Sequence, residues 1–305
     1  MSGKILMFIA SEKGYTALKR LITQKNTDKV GAVVTFEEID VDLSWDSNIK
    51  EECKKNNIPF YLWKDAKDKL IEIIQRNNFI CAITISWKFL LPMEMNNYLQ
   101  YPLIVFHDSL LPKYRGFAPA PTAIMCGETN IGVTAIFANE QIDEGDIVVQ
   151  KSVRVPETMY IGDIITVQAN ICADILDEII KKLECGNLIG VPQNESEATY
   201  SIWRNKDDCR VDWNKSNKEI YNFIRAVGSP YPGAFTYLNN DKIYIIKAEC
   251  VSRELNFAIR DAGKIWRIKD NEPEVICGEG ILKIVSATYE NGDMVHFNRV
   301  RCRLQ

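Results

Sequence analysis

The chain has 305 residues, 46% of them hydrophobic and 26% charged, with a net charge of −4 and nine cysteines. That length predicts one large and one small domain, the composition is that of an ordinary soluble protein, and no run approaches the roughly 18 apolar residues of a membrane span. The acidic balance gives no general pull toward nucleic acid, and scattered cysteines without a CxxC pair argue against a zinc site and for reduced thiols in a cytoplasm.

The start, "MSGKILMFIASEKGY", reads as a first β-strand rather than a signal peptide, because charged residues and a helical pattern follow it without a cleavage site. The segments then alternate. "KILMFIA", "KVGAVVTF", "IPFYLW", "FICAITISW" and "LIVFHDS" read as strands, and "YTALKRLITQ", "SNIKEECKKNN" and "AKDKLIEIIQRNN" as helices between them. Such alternation predicts βαβ units, hence an α/β, Rossmann-like, mostly parallel sheet covered on both faces. No GxGxxG follows the first strand, so a dinucleotide has no support. "GVTAIFA" and "DIVVQKSVRV" add two strands, and a long helix ends at Cys185-Gly186-Asn187, where Gly186 can take a left-handed conformation.

From about residue 200 the pattern changes. One short helix is opened by Ser216 with Glu219 three residues on, the spacing of a capping box. "FTYL", "KIYIIKAECV", "KIWRIK" and "ILKIVSAT" then predict a small β-rich, barrel-like domain. The division expected is therefore 1–200 and 201–305. The second part carries 17 Lys/Arg against 14 Asp/Glu, and its basic end, "NRVRCRLQ", reads as a solvated tail.

One stretch, "VFHDSLLPKYRG", places one of only two histidines, His107, at the end of an apolar run, ahead of a turn shaped by Pro112 and Gly116. Ligands of open α/β sheets bind beyond the carboxyl ends of the strands, where an imidazole can act as acid or base near neutral pH. A histidine at a strand end is also an ordinary structural residue. A second stretch, "IDEGDIV", offers Asp143, Glu144 and Asp146, and an aspartate there can orient the ring and stabilise its protonated form. An acidic loop is equally a solvated one. On residue types alone both readings stand.

"HDSLLPKYRGFAP", "GETNIGVT" and "IDEGDIV" resemble the signature of the formyltransferases that use 10-formyltetrahydrofolate, and "WRNKDDCRVDW" with "IYNFIRAVGSPYPGAF" resembles the C-terminal domain shared by the tRNA and sugar enzymes. The resemblance implies an enzyme, an N-formyltransferase, that carries one carbon from 10-formyltetrahydrofolate to an amine and releases tetrahydrofolate. It implies His107 as acid/base and Asp143 as its partner. It places the pterin against backbone groups of Lys88, Phe89 and Leu90, with the loop Asn139, Glu140, Gln141, Ile142 and Asp143 as the other wall and Phe117 near the formyl-bearing arm. No metal is implied.

The family pattern has Asn two positions before the histidine, which puts both side chains on one face of a strand. This chain has Val105 there. Loss of one oxyanion donor typically costs roughly 100- to 1000-fold in rate. Three explanations compete: protonated His107 or another carboxamide, Asn139 being nearest by motif, holds the oxyanion; the reaction needs no Asn; or the chain binds folate and catalyses poorly.

For the amine, the acidic balance and the short "PKYRGFAPAP" loop favour a nucleotide-linked amino sugar, with Arg204 and Arg225 as anion contacts or as ordinary salt-bridge residues. The alternatives are methionyl-tRNA, which calls for a basic surface, and a folate-binding homologue without chemistry. By resemblance to the sugar type, a homodimer is also expected.

Overall fold

The computed structural model describes residues 3–37, 44–253 and 255–305. In chain order its elements are β1 (Lys4–Ile9), α1 (Ser11–Thr23), β2 (Val30–Thr35), α2 (Asp46–Lys55), β3 (Phe60–Leu62), α3 (Trp63–Ala66), α4 (Leu70–Asn77), β4 (Phe79–Ile85) and β5 (Ile104–His107). There follow β6 (Arg115–Gly116), α5 (Pro119–Met125), β7 (Asn130–Phe137), β8 (Ile147–Arg154), α6 (Ile161–Glu184), β9 (Tyr200–Ser201) and α7 (Asn217–Val227). The chain ends with β10 (Ala234–Leu238), β11 (Asp241–Cys250), β12 (Ile265–Lys269), β13 (Glu272–Ile276) and β14 (Ile281–Tyr289).

The chain divides into two compact units, Met1–Pro119 with Asn130–Val155 and Asp163–Ile202, and Ala120–Thr129 with Pro156–Gly162 and Trp203–Gln305. The division is not a single cut. Two short excursions from the first half, 120–129 and 156–162, pack with the C-terminal residues.

The first unit is built on a seven-stranded sheet in the order β3-β2-β1-β4-β5-β7-β8. Strands β3 to β5 run parallel, and β7 and β8 are antiparallel additions at one edge. The Rossmann-like, mostly parallel sheet read from the alternation is therefore present. Its inner strands are mostly apolar, β2 being buried at every position with Thr35 bonded to the Ile9 carbonyl, because helices cover both faces. One face packs Ile5, Met7, Ile9 and Ile104 against α1 and α6; the other packs Leu6, Phe8 and Val34 against Leu70 and Ile74 of α4. The amphipathic stretch 66–78 is interrupted: α3 and α4 are separated by a 3-10 turn over Lys67–Lys69. Helix α6 ends as expected, with Gly186 at φ +65° and its N–H bonded to Leu183.

In the second unit five strands form an antiparallel sheet, β10-β11-β14-β13-β12. Two of its hairpins turn on residue pairs with positive φ, Asn239-Asn240 and Asp270-Asn271, the geometry that matches strand twist. Strand β13 is missing from the sequence reading. Pro273 signals an edge, yet it sits beside the turn, opposite Ile268, in a strand flanked on both sides. The basic tail is not a solvated end. Leu304 bridges Leu238 at one edge of the sheet and Arg303 bridges Lys264 next to the other edge, so the last residues close the sheet into a barrel. Helix α7 carries the predicted capping box, Ser216 accepting from the Glu219 N–H and Glu219 from the Ser216 N–H.

Candidate active site

Strand β5 ends at His107, whose ring is 7% exposed. Strand β7 is antiparallel to it, with Ile104 opposite Phe137 and His107 opposite Thr134. The β7–β8 connection therefore leaves the sheet beside the start of β5, not beside His107. Ala138 and Val105 pack on the same side of the sheet, against the cluster around Leu6 and Phe8. Strand β5 is only four residues, about 10 Å, so the loop returns along that side and brings Asp143 to the histidine. Asp143 Oδ2 lies 3.4 Å from His107 Nδ1 and accepts the Gly116 N–H at 2.8 Å. His107 Nε2 is 2.7 Å from the Tyr114 carbonyl. A carbonyl can only accept, so Nε2 carries a proton and Nδ1 is the nitrogen that faces the carboxylate.

Backbone strain concentrates here. Asp143 has φ +58°, Tyr114 +61° and Gly116 +94°. For residues other than glycine such conformations cost about 1–3 kcal/mol and persist where surrounding contacts over-determine them. Those contacts are present. Arg115, whose side chain is wholly buried, donates to Gln193 Oε1 at 3.2 and 2.9 Å and to Glu195 at 2.8 and 2.6 Å, and lies 3.4 Å from Glu144. The hydrogen bond to Glu195 strengthens the guanidinium's hold on its proton, and Arg115 holds the Glu195 carboxyl below the usual carboxylate range. The Gln193 amide donates in turn to the carbonyls of Asp143 (2.7 Å) and Gly145 (2.8 Å).

On the other side of the histidine, Lys13 of α1 reaches Asp108 at 2.5 Å and Gln168 of α6 at 3.0 Å. Gln168 also donates to the Asp108 and Gly132 carbonyls. Thr134 Oγ1 donates to the Ser109 carbonyl and accepts the Leu111 N–H. None of Lys13, Thr134, Gln168 or Gln193 stands out in the sequence. Their signal is long-range pairing of polar groups, which periodicity does not carry.

The remaining residues expected at the folate fall in the same unit. Lys88, Phe89 and Leu90 follow β4; Leu90 is 95% exposed, and no hydrogen bond among the described residues uses the backbone groups of these three. Lys88 Nζ lies over the Phe36 ring at 4.4 Å. Trp87 packs against Phe8, Phe36 and Trp63, a core role. Phe117 and Ile142, neighbours of Gly116 and Asp143, are exposed. Glu140 and Gln141 are exposed as well, and Asn139 caps their turn by accepting the Gln141 N–H at 3.0 Å. Among the described residues no hydrogen bond joins Asn139 to His107. A free amide edge beside exposed apolar side chains suits a flat, amide-like ring. Arg225 is not an open anion contact: it is buried, bonded to the Met159 carbonyl and Asn222, and desolvation lowers its hold on its proton. Arg204 is exposed. No group of three His, Cys, Asp or Glu among the described residues is placed to hold a metal.

Residues 4–168 match the family model described as "Formyl transferase", and residues 204–302 the one described as "Formyl transferase, C-terminal domain". A methionyl-tRNA formyltransferase of Caldanaerobacter subterraneus is 32% identical over 283 residues, covering 92% of this chain and 86% of that protein. Among solved structures, a sugar 3N-formyl transferase, WlaRD, crystallised in the presence of dTDP and 5-N-formyl-THF, superposes with a TM-score of 0.71 at 18% identity, covering 98% of this chain and 99% of that one. HypX from Aquifex aeolicus, in complex with tetrahydrofolic acid, superposes with a TM-score of 0.64 at 18% identity over 97% of this chain, which spans 46% of HypX.

Proposed function

Because the chain belongs to the formyl transferase family through both of its parts, we propose that it transfers the formyl group of 10-formyltetrahydrofolate to a primary amine, with His107 and Asp143 as the acid–base pair. The observation that carries this assignment of residues is the meeting of His107 Nδ1 and the Asp143 carboxylate at 3.4 Å, reached by a loop that starts at the far end of β5.

The folate supplies an activated formyl carbon and a nitrogen leaving group. The backbone of Lys88, Phe89 and Leu90 holds its pterin edge, and Asn139 to Asp143 with Phe117 form the wall facing it. His107 takes on Nδ1, the ring nitrogen that carries no proton, the proton that the attacking amine loses as the new C–N bond forms, and the Asp143 carboxylate beside Nδ1 stabilises the resulting imidazolium. The same nitrogen returns the proton to the leaving nitrogen as the old C–N bond breaks. Protonated His107 is the donor we assign to the developing oxyanion, the role that Val105 cannot take.

Two readings of the amine remain, and the relatives reverse the order that charge alone gives. Identity of 32% across 92% of the chain supports the aminoacyl group of a charged tRNA as the first. A nucleotide-linked amino sugar is second, on one specific observation. The run Glu37, Glu38, Asp40, Asp42 and Asp46 contains no basic residue, and it begins beside Phe36, whose ring meets Phe89 at 5.1 Å. Residues 38–43 lie outside the described residues. An acidic run in the sequence disfavours a polyanion more strongly than a small diphosphate. The deciding assay is tetrahydrofolate release from 10-formyltetrahydrofolate with methionyl-tRNA and with nucleotide-linked 3-amino and 4-amino sugars. Turnover with the tRNA alone establishes the first reading, and turnover with one sugar alone the second. No release with any amine, alongside folate binding, overturns both.

A further inference from the structure

Gln193 lies fifty residues from Asp143 in sequence, in the irregular stretch between α6 and β9, and no part of the proposed chemistry needs its side chain. Its amide is nevertheless used at both ends. Nε2 donates to the carbonyls of both Asp143 and Gly145, at 2.7 and 2.8 Å, and Oε1 accepts twice from the buried guanidinium of Arg115. Arg115 is the residue before Gly116, and the Gly116 N–H holds the Asp143 carboxylate. The result is a closed circuit: Arg115 fixes Gln193, Gln193 fixes the backbone of the strained 143–145 turn, and Gly116 fixes its side chain.

The neighbouring residues extend the circuit to the histidine. Arg115 N–H bonds the Thr199 carbonyl and Tyr114 N–H the Thr199 hydroxyl, while Ser201 Oγ donates to the Tyr114 carbonyl. That carbonyl is the acceptor for His107 Nε2. The segment 193–201 thus touches the support of both members of the pair, and its contact with Asp143 runs through one carboxamide.

We infer that Gln193 is a positioning residue that sets the distance and orientation of Asp143 relative to His107. This rests on the roles given to those two residues above. A carboxamide suits the task because it must accept from a cation and donate to two carbonyls at once. A glutamate keeps the first ability and loses the second; a methionine keeps only the volume.

The test uses the full chain, with Gln193→Glu and Gln193→Met made in the wild-type and Asp143→Asn backgrounds. Turnover of 10-formyltetrahydrofolate is followed with the acceptor that the assay above identifies. Each Gln193 change is expected to lower kcat at least about tenfold with KM for the folate held within about twofold, and to cost less than about twofold once Asp143 is Asn. A second readout needs no acceptor. The chain has two histidines, so His296→Asn assigns the His107 imidazole resonances. Those resonances should move in both Gln193 variants toward their positions in Asp143→Asn. Wild-type kcat in Gln193→Glu while Asp143→Asn is impaired, or a loss of undiminished size in the Asp143→Asn background, overturns the inference. If Asp143→Asn itself turns over normally while the three variants share one His107 spectrum, the positioning stands and the catalytic role of Asp143 falls. If Gln193→Met does not fold, Gln193→Glu, which keeps the Arg115 contact, decides.

Discussion

Asp143 and His107 face each other at 3.4 Å although β7 runs antiparallel to β5 and the loop carrying Asp143 leaves the sheet opposite Ile104. The pair is therefore made by a loop folding back along one side of β5, and its integrity depends on what holds that loop. Asp143→Asn keeps the shape and the Gly116 contact but removes the charge that stabilises a protonated ring. It is expected to lower kcat by about 100- to 10,000-fold, as removal of an orienting carboxylate or an acid–base group does. His107→Asn should lose at least as much. Folate binding, followed by fluorescence quenching, should stay near wild type in both. Normal turnover in either variant removes that residue from the chemistry.

Val105 is half-buried on the same side of β5 as His107, packed with the cluster around Leu6 and Phe8. Val105→Asn puts a carboxamide two residues before His107, where the resemblance leads one to expect it. Expected is a stability loss of about 1–2 kcal/mol for placing a polar group against apolar neighbours. If an oxyanion donor is what limits the rate, kcat rises about tenfold or more. An unchanged kcat at full folding means that His107 alone suffices for the oxyanion.

Much of this was legible from the residues. The alternation of periods gave the parallel sheet, because fully buried inner strands such as β2 are apolar at nearly every position. His107, at a strand end followed by a proline turn, pointed to the candidate site. What stayed hidden has a physical reason in each case. Helix α5, "PAPTAIM", is too short and too rich in proline to show a period. Strand β13 was masked by Pro273. The closing role of Arg303 and Leu304 depends on two strand edges that meet only in the folded barrel. Gln193 and Lys13 act through partners 50 and 95 residues away, and a single sequence records no such pairing.

Gly145 is confined by its neighbours: a Cβ there would lie 1.6 Å from the Phe137 carbonyl oxygen. Gly145→Ala must push the 143–145 turn off the β7 backbone and so weaken both Gln193 contacts. A loss at the upper end of the usual 0.5–3 kcal/mol is expected, about 2–3 kcal/mol, with kcat falling at least about tenfold in the fraction that remains folded. Thermal denaturation and active-site titration separate the two. Wild-type kcat in folded Gly145→Ala contradicts the account of this turn as a fixed support.

The cysteines give a test of the packing that is independent of activity. Cys53, Cys81, Cys172, Cys209 and Cys277 are buried, while Cys126, Cys185 and Cys250 are exposed and Cys302 is intermediate. Burial pushes the thiols of Cys53, Cys81 and Cys277 up to about 12. Since the thiolate is the reactive form, these three should resist a disulfide reagent at pH 8 until the chain unfolds. Cys250 differs from the other exposed thiols. Desolvation raises its pKa as well, and its Sγ donates to the Asn217 carbonyl at 3.5 Å. Cys126 and Cys185 should therefore label first and Cys250 more slowly, with the slow thiol accelerating as pH rises. Mass mapping after timed labelling reads the order. Rapid modification of Cys81 in the native protein contradicts its placement in the centre of the parallel sheet, between β1 and β5.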